Sequence, residues 1–525
     1  MNKPMETKKL VAAISLIPES APFDEAQRAW LNGFFAGMTG IEEMMARSGS
    51  ASVAQLETAE PEIEEDFPWH DDALAIDERL ALAEDRPYER KLMAAMAQLD
   101  CGSCGYLCQS YAEAIASGEE TNLTLCSPGG KETAKAVKKL VKIGGDSVSA
   151  APATAAPSSA APGTSRKNPV TAKLIESAKL CGEGSNKDVR HVEIDLSGTG
   201  LSYEVGDALG VFPENCQTLV TQILEHCLGD ESARAAAATT LATRDLSMAN
   251  EELCELFDTI VSDGLEKERL QKLKADDDQL DELDVLDFLQ LFSDHKVDPD
   301  ALISTLTELN PRLYSIASSQ KAHSDAVHLT VGKVTYEKNS RLRKGVASTF
   351  LAERVDAGSD LKVFVQKSHG FTVPANDNDP MIMVGPGTGI APFVAFLQER
   401  QSRGAKGDNW LFFGDQKSET DFLYREQLTS WKSGGQLQRL DTAFSRDQEH
   451  KIYVQDRMLE NGEELFAWLE RGGYFFVCGD ASRMAKDVDA ALHKIVETHG
   501  KMSADEAKAY IKGLKDKGRY SRDVY

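Results

Sequence analysis

Hydrophobic and polar positions follow two different rhythms along the C-terminal two-thirds of the chain. Val192, Ile194 and Leu196 alternate with polar residues, the period-2 pattern of a half-buried strand. The run Ala208-Leu209-Gly210-Val211-Phe212 stops at Pro213, and strand patterns return at 326–334 and 361–366. Between them, from about Thr218 to Thr307, the period becomes helical: Leu270, Leu273, Leu280, Leu283, Leu286 and Leu289 recur with acidic residues between. This predicts an antiparallel β domain interrupted by a helical insert. From Asp379 the strands lose their alternation. Met381–Val384, Trp410–Phe413 and Tyr474–Val477 are short continuous apolar runs, as in a parallel sheet covered on both faces. Helical stretches separate them, so a doubly wound α/β domain is expected there.

Upstream the pattern is mainly helical. Pro22–Met38 opens with Asp24 and Glu25 and carries Trp30, Leu31, Phe34 and Phe35 on one side, a core-packing or docking face. Residues 147–165, rich in Ala, Pro and Ser, have no large apolar side chain after Val148 and read as a semi-extended linker. The expected organisation is therefore a helical region at 1–99, a cysteine-bearing module at 100–146, the linker at 147–165, a β-barrel domain at 166–378 with its helical insert at about 215–307, and an α/β domain at 379–525. The fold class is α+β and α/β.

Charge narrows the partners. The 525 residues carry a formal net charge of -26, which argues against nucleic acid and allows steering of a basic protein. No run approaches the roughly 20 apolar residues of a membrane span. Pro18 and the acidic residues after it make the N-terminus a poor signal peptide. Nine cysteines, four of them clustered, fit a reducing cytoplasm better than a disulfide framework.

Five stretches carry candidate chemistry. In RLYSIASS (312–319), Arg312 and Tyr314 share one face of an extended segment, so a cation and an aromatic plane face the same ligand, with Ser315 near its polar edge. In VGPGTGIAPF (384–393), Gly385, Gly387 and Gly389 lie between a strand and a helix and let backbone approach a pyrophosphate, although the spacing departs from Gly-x-Gly-x-x-Gly. Ser445, Arg446 and Lys451 gather a hydroxyl and two cations, as a 2′-phosphate needs. Cys478 lies at the C-terminal end of a strand, where open α/β sheets bind ligands. Finally Cys101, Cys104, Cys108 and Cys126 form a C-x₂-C-x₃-C-x₁₇-C array, with Gly102 and Gly105 allowing tight turns and Pro128 just beyond. Four thiolates hold a [4Fe–4S] cube or a zinc ion. Three cysteines crowded into eight residues favour the cluster over paired zinc knuckles, with zinc as the alternative.

RLYSIASS, GPGTGIAPF, WLFFG, SRDQ, KIYVQD, VCGD with MAKDV, and the closing RDVY stand in the order found in the ferredoxin–NADP reductase superfamily. Residues from about 166 to 525 resemble the reductase half of the diflavin enzymes, and most nearly the flavoprotein component of bacterial NADPH–sulfite reductases. The resemblance implies an FAD-binding barrel followed by an NADPH-binding domain. It implies that Arg312, Leu313, Tyr314 and Ser315 contact FAD, that Thr330, Val331, Gly332 and Tyr336 add to that site, and that Gly345, Val346, Ala347 and Ser348 cradle the pyrophosphate. Tyr525 would cover the flavin until nicotinamide displaces it. Gly387, Thr388, Ser445, Arg446, Lys451, Tyr453, Gln455 and Asp487 would take NADPH. Ser315, Cys478 and Asp523 would surround the hydride path, where nicotinamide and flavin must approach to about 3–3.5 Å.

One departure stands out. The resembled flavoproteins carry a flavodoxin-like FMN domain before this module, but the N-terminal part here has no flavodoxin phosphate loop. Its cysteine array resembles the small [4Fe–4S] module of corrinoid iron–sulfur proteins and membrane ferredoxin oxidoreductases. FMN is thus not expected, and the cluster would carry single electrons from FAD, the linker letting it swing toward an acceptor. The resemblance suggests the haem-containing subunit of assimilatory sulfite reductase as that acceptor. A general NADPH–cytochrome or ferredoxin-type reductase, or a flavin reductase with a zinc-stabilised docking module, are the alternatives.

Overall fold

A computed structural model of the chain describes residues 67–70, 74–102, 104–144, 162–262, 264–368 and 370–525. The helix expected at Pro22–Met38 and the linker up to residue 161 lie outside these residues. The described N-terminal part is helical: α1 (Ile76–Leu82), α2 (Tyr88–Ala95), α3 (Cys108–Ala116) and α4 (Gly130–Gly144). Leu92, Met93, Tyr111 and Val137 are buried between them. The four cysteines sit on α3 and the loops beside it.

The alternating segments form one antiparallel sheet. Its strands are β1 (Val170–Lys179), β2 (Val189–Asp195), β3 (Ala208–Val211), β4 (Arg312–Ser315), β5 (Ala326–Gly332) and, after the hairpin of β6 (Thr335–Lys338) and β7 (Arg341–Lys344), β8 (Asp360–Gln366). The order is β4-β3-β8-β1-β2-β5, and a bridge between Ile316 and Leu329 joins the two ends, closing a barrel. Val192, Ile194, Leu209, Val211, Leu329, Val331 and Val363 fill its interior. Because side chains alternate along a strand, the residues between them are turned to the outer surface.

The helical insert runs from α5 (Gln217–Leu224) through α6 (Glu231–Leu241) and α7 (Glu251–Ile260) to α11 (Pro299–Ser304) and has its own core around Phe257, Phe288 and Phe292. The leucine repeat is divided among three short helices, α8 (Leu265–Ala275), α9 (Asp277–Asp281) and α10 (Val285–Leu291), with Leu283 in the break before the last. Two of the acidic residues among the leucines cause the breaks. Asp276 caps α9 by accepting from Asp278 N and Gln279 N, and Asp284 caps α10 by accepting from Asp287 N. Asp284 and Asp287 also pair with Arg341 (2.5 and 2.7 Å) and with Arg343, which ties the insert to β7.

The C-terminal domain is a parallel sheet of β9 (Met381–Val384), β10 (Asn409–Asp415), β11 (Arg439–Phe444), β12 (Tyr474–Gly479) and β13 (Tyr520–Val524) in the order β11-β10-β9-β12-β13. Helices including α13 (Ala391–Arg403), α14 (Ser418–Asp421), α15 (Arg425–Ser433), α16 (Val454–Glu460), α17 (Gly462–Glu470), α18 (Met484–His499) and α19 (Ala504–Asp516) cover it, and all four residues of β9 are buried. The chain builds outward from β9 through β10 and β11, then returns to β12 on the other side. That reversal opens a crevice at the C-terminal ends of β9 and β12. No described helix is long and apolar enough to cross a membrane.

Candidate functional site

The crevice is built from residues far apart in the chain. The parallel register sets Cys478 of β12 beside Asp523 of β13. Ser315, at the end of β4, donates its hydroxyl to Asp523 Oδ2 at 2.5 Å, and the Cys478 thiol donates to the same oxygen at 3.6 Å. Ser315, Cys478 and Asp523 thus meet at one carboxylate oxygen. Burial pushes the Asp523 carboxyl up, against the opposing effect of the two donors. Burial, reinforced by the Asp523 charge, also lifts the Cys478 thiol well above its ordinary value. Cys478 is therefore a protonated donor, and a thiolate nucleophile is disfavoured there.

The glycine-rich turn closes over the same point. Gly387–Ile390 form a single 3₁₀ turn leading into α13. A Cβ on Gly389 would stand 2.1 Å from the Cys478 carbonyl oxygen, so only glycine permits this approach. The Thr388 hydroxyl shares a 2.8 Å hydrogen bond with the phenol of Tyr525, and Tyr525 N donates to Gly479 O at 3.0 Å. The terminal tyrosine is thereby held across the mouth of the crevice. Tyr314 is half-buried nearby in β4, with its phenol pushed up by burial.

Two expected contacts sit differently. The Val331 side chain is buried in the barrel core, which leaves only its backbone for a ligand. The Thr330 hydroxyl bonds to the phenol of Tyr424 at 2.7 Å. Gly345–Ser348 fall at the start of α12 (Val346–Thr349), where the Ser348 hydroxyl accepts from Val334 N at 3.1 Å. Beside them lies a cavity of about 250 Å³ lined by Lys338, Arg341, Lys344 and Arg354 together with Glu282 and Asp284, so that Lys338 and Arg341 are paired with carboxylates in its wall.

At the far edge of the parallel sheet, Ser445 N and Arg446 N donate to Asp415 O and Gln416 O at 2.9 and 2.8 Å, anchoring the turn after β11. The Arg446 and Lys451 side chains project into solvent. Tyr453 is exposed beside them, and Gln455 donates to Asp487 at 3.3 Å.

The cysteine loop lies directly against β4 and the residues before it. Gly102 has φ +63°, and a Cβ there would come 2.5 Å from Leu313 Cβ; one on Gly105 would come 3.0 Å from Pro311 Cγ. Arg166 staples the contact. Its guanidinium donates to Cys104 O (3.4 Å) and Asn310 Oδ1 (2.9 Å) and lies 4.3 Å from the Tyr106 ring centroid. Lys167 pairs with Glu119 at 2.9 Å and Lys131 with Asp278 at 2.5 Å. The module, expected to swing on its linker, is docked in this structure.

Within the loop, Cys108 N donates to Asp100 Oδ1 at 2.6 Å, and Asp100 Oδ2 pairs with His70 Nε2 at 2.9 Å. Burial opposes charge on His70, but Asp100 more than compensates and raises it to about 9. Burial pushes Cys104 up to about 12, the neighbouring Cys101 and Cys126 adding to the rise, and lifts Cys108, with Asp100 and then Cys126 adding to it. Thiols gathered in this way need a cationic centre to become thiolates, and this donor set fits one. Arg166, His70 and Asp100 carry no motif that marks them in the sequence. Their roles come from contacts that reach as far as 30 positions for His70 and Asp100 and 144 for Arg166.

Three family models match the chain. Residues 383–490 match an oxidoreductase NAD-binding domain, residues 162–256 and 245–350 an FAD binding domain, and residues 96–128 a family described as "Putative Fe-S cluster". Among curated proteins, the chain is 45% identical over 371 residues to the sulfite reductase [NADPH] flavoprotein alpha-component of Vibrio parahaemolyticus, covering 69% of this chain and 59% of that one. It is 46% identical over 375 residues to the Vibrio cholerae protein of the same name (69% and 60%). With the Bacillus subtilis protein of that name the identity is 41% over 404 residues (74% and 66%). The chain thus spans about three-fifths to two-thirds of the length of these relatives.

Proposed function

We propose that this chain, a homologue of the NADPH–sulfite reductase flavoprotein alpha-components over more than two-thirds of its length, is an NADPH-dependent reductase that moves electrons through FAD to its four-cysteine module and on to a haem-containing sulfite reductase subunit. The FAD-binding and NAD-binding domains and the crevice between them support the first half of this reading. The observation that carries the second half is the seat of Gly102 on Leu313, which sets the cysteine loop against the strand bearing Tyr314 and Ser315.

The flavin site would supply hydride acceptance and one-electron release when loaded, and Cys101, Cys104, Cys108 and Cys126 would hold a [4Fe–4S] cluster supplying one-electron chemistry. The chain's own part is positioning. Tyr314 and Tyr525 flank the place of the flavin ring, and Arg312 and the residues from Gly345 to Ser348 hold its phosphates. Ser315, bonded to Asp523, keeps a proton-bearing hydroxyl at the ring's edge. Arg446 and Lys451, with Ser445, select the 2′-phosphate of NADPH, while Tyr453, Gln455 and Asp487 line the nucleotide. Gly387 and Thr388 bring backbone close to the pyrophosphate, with Thr388 also holding Tyr525 until nicotinamide arrives.

Three cysteines crowded into eight residues support a cluster over paired zinc knuckles, as does the match of residues 96–128 to a family described as "Putative Fe-S cluster".

A cytoplasmic setting suits nine free cysteines and such a cluster. The test is reconstitution. Anaerobically purified chain should contain flavin, iron and sulfide, and should support sulfite-dependent NADPH oxidation when a haem subunit is added. Oxidation of NADPH without transfer to that subunit, but with transfer to cytochrome or ferredoxin, would move the reading to a general reductase. Zinc in place of iron and sulfide would make the module structural.

A further inference from the structure

On the outer face of the barrel, β2 and β5 run antiparallel with Glu193 opposite His328 and His191 opposite Thr330. Opposed residues share a face of the sheet. Val192, Ile194 and Leu329 take the inner face, so His191, Glu193 and His328 are gathered on the outer one. One ligand atom from each lies within 4.8 Å of the other two. The His191 and His328 rings meet edge to face at 4.9 Å, and the His323 ring stands 4.2 Å from that of His328.

Two further observations separate this group from an ordinary polar patch. His328 is only 6% exposed, its ring packed against those of His191 and His323. His191 is oriented. Its Nδ1 bonds to the Tyr424 phenol at 2.9 Å, and that phenol bonds in turn to the Thr330 hydroxyl at 2.7 Å. The ring is thereby locked with Nε2 facing Glu193 Oε1 at 3.2 Å. Metal-binding histidines are usually held in this way, one nitrogen tied to an outer partner and the other left for the ion.

We propose that His191 Nε2, the His328 ring and the Glu193 carboxylate form a binding site for a divalent transition cation of the zinc type, with His323 or water at the remaining position. Two imidazoles and one carboxylate suit zinc, cobalt or nickel and disfavour magnesium and calcium, which prefer all-oxygen shells. Tyr424 belongs to the C-terminal domain and caps α15, so an ion here would brace the joint between the barrel and that domain. The site is separate from the cysteine module and independent of the proposed electron route.

Cobalt(II) is the probe, because its spectrum distinguishes the two candidate sites. Full-length chain carrying its cofactors, freed of loose metal by chelation, is titrated with Co²⁺ under anaerobic conditions. Nitrogen and oxygen ligands give weak visible bands, whereas cysteine sulfur adds intense charge-transfer bands. The expected result is one equivalent bound without the sulfur bands. Affinity should fall by more than about 100-fold in Glu193→Gln and His191→Gln, and by roughly 10- to 100-fold in Tyr424→Phe, which removes the phenol that orients His191 and bonds Thr330 but leaves all three ligands in place. Glu193 and His191 are partly exposed, so their variants should keep the flavin spectrum and thermal transition of the parent. Cobalt that binds only with sulfur bands, or binds equally well to the parent and to folded Glu193→Gln and His191→Gln, overturns the site.

Discussion

The α-carbon of Gly102 is pressed so closely on Leu313 that a single added methyl group would sit 2.5 Å from the Leu313 Cβ. Leu313 lies between Arg312 and Tyr314, so the position of the cysteine loop is set by the strand proposed to seat the flavin. A glycine with φ +63° at that contact is required twice, once for its backbone and once for the missing side chain.

Gly102→Ala should therefore lift the loop from β4. A left-handed alanine alone costs roughly 1–2 kcal/mol, and the clash adds to it. Reduction of the flavin by NADPH should stay within about twofold of the parent, because the C-terminal crevice is untouched, while electron delivery to an external acceptor falls at least about tenfold, in proportion to that energy. Stopped-flow absorbance of the two steps checks this, and equal slowing of both would refute a role confined to the loop.

Asp523→Asn and Ser315→Ala should slow flavin reduction by about 100-fold, the low end for a positioned proton-bearing group. Binding of NADPH should change little, since neither residue is among those proposed for the nucleotide's phosphates. Single-turnover reduction at saturating NADPH is the measurement. An unchanged rate would leave the Ser315–Asp523 bond as a structural contact only.

Arg446→Ala should weaken NADPH and spare NADH. A charged hydrogen bond is worth about 1.5–3 kcal/mol, so KM for NADPH should rise roughly 10- to 100-fold. The ratio of kcat/KM for the two nucleotides is the readout, and a parallel loss for both would remove Arg446 from the 2′-phosphate.

The His70–Asp100 pair gives the cysteine loop a pH dependence of definite sign. The folded protein raises His70 from 6.5 to about 9, because Asp100 outweighs the burial that disfavours its charge. Its stabilisation is complete below about pH 6.5 and is lost as pH rises through about 9. Thermal transitions of the parent and His70→Gln should differ at pH 6 and converge above pH 9. A difference that persists undiminished to pH 10 would contradict the pairing.

Much of this architecture is legible in local pattern. Alternation marked β2 and β5, continuous apolar runs marked β9, β10 and β12, and the spacing of Cys101, Cys104, Cys108 and Cys126 marked the module. Each pattern reflects the burial of neighbouring residues in one element, and such burial repeats with the period of that element. The leucine repeat at 270–289 was legible as helix, but its division into three was not. Asp276 and Asp284 look like surface charge until their side chains are seen accepting backbone N–H groups.

Sequence alone determined which segments are strand, helix and loop, which glycines sit in turns, and which residue types the chemistry would draw on. Tertiary structure decided what meets. Ser315 reaches Asp523 across 208 positions, Arg166 reaches Asn310 across 144, and Glu193 faces His328 because of one register between two strands. Barrel closure and strand register set these meetings. A shift of one residue in β5 would turn His328 into the core and Leu329 out to solvent, and no local pattern around either residue records which partner it will face.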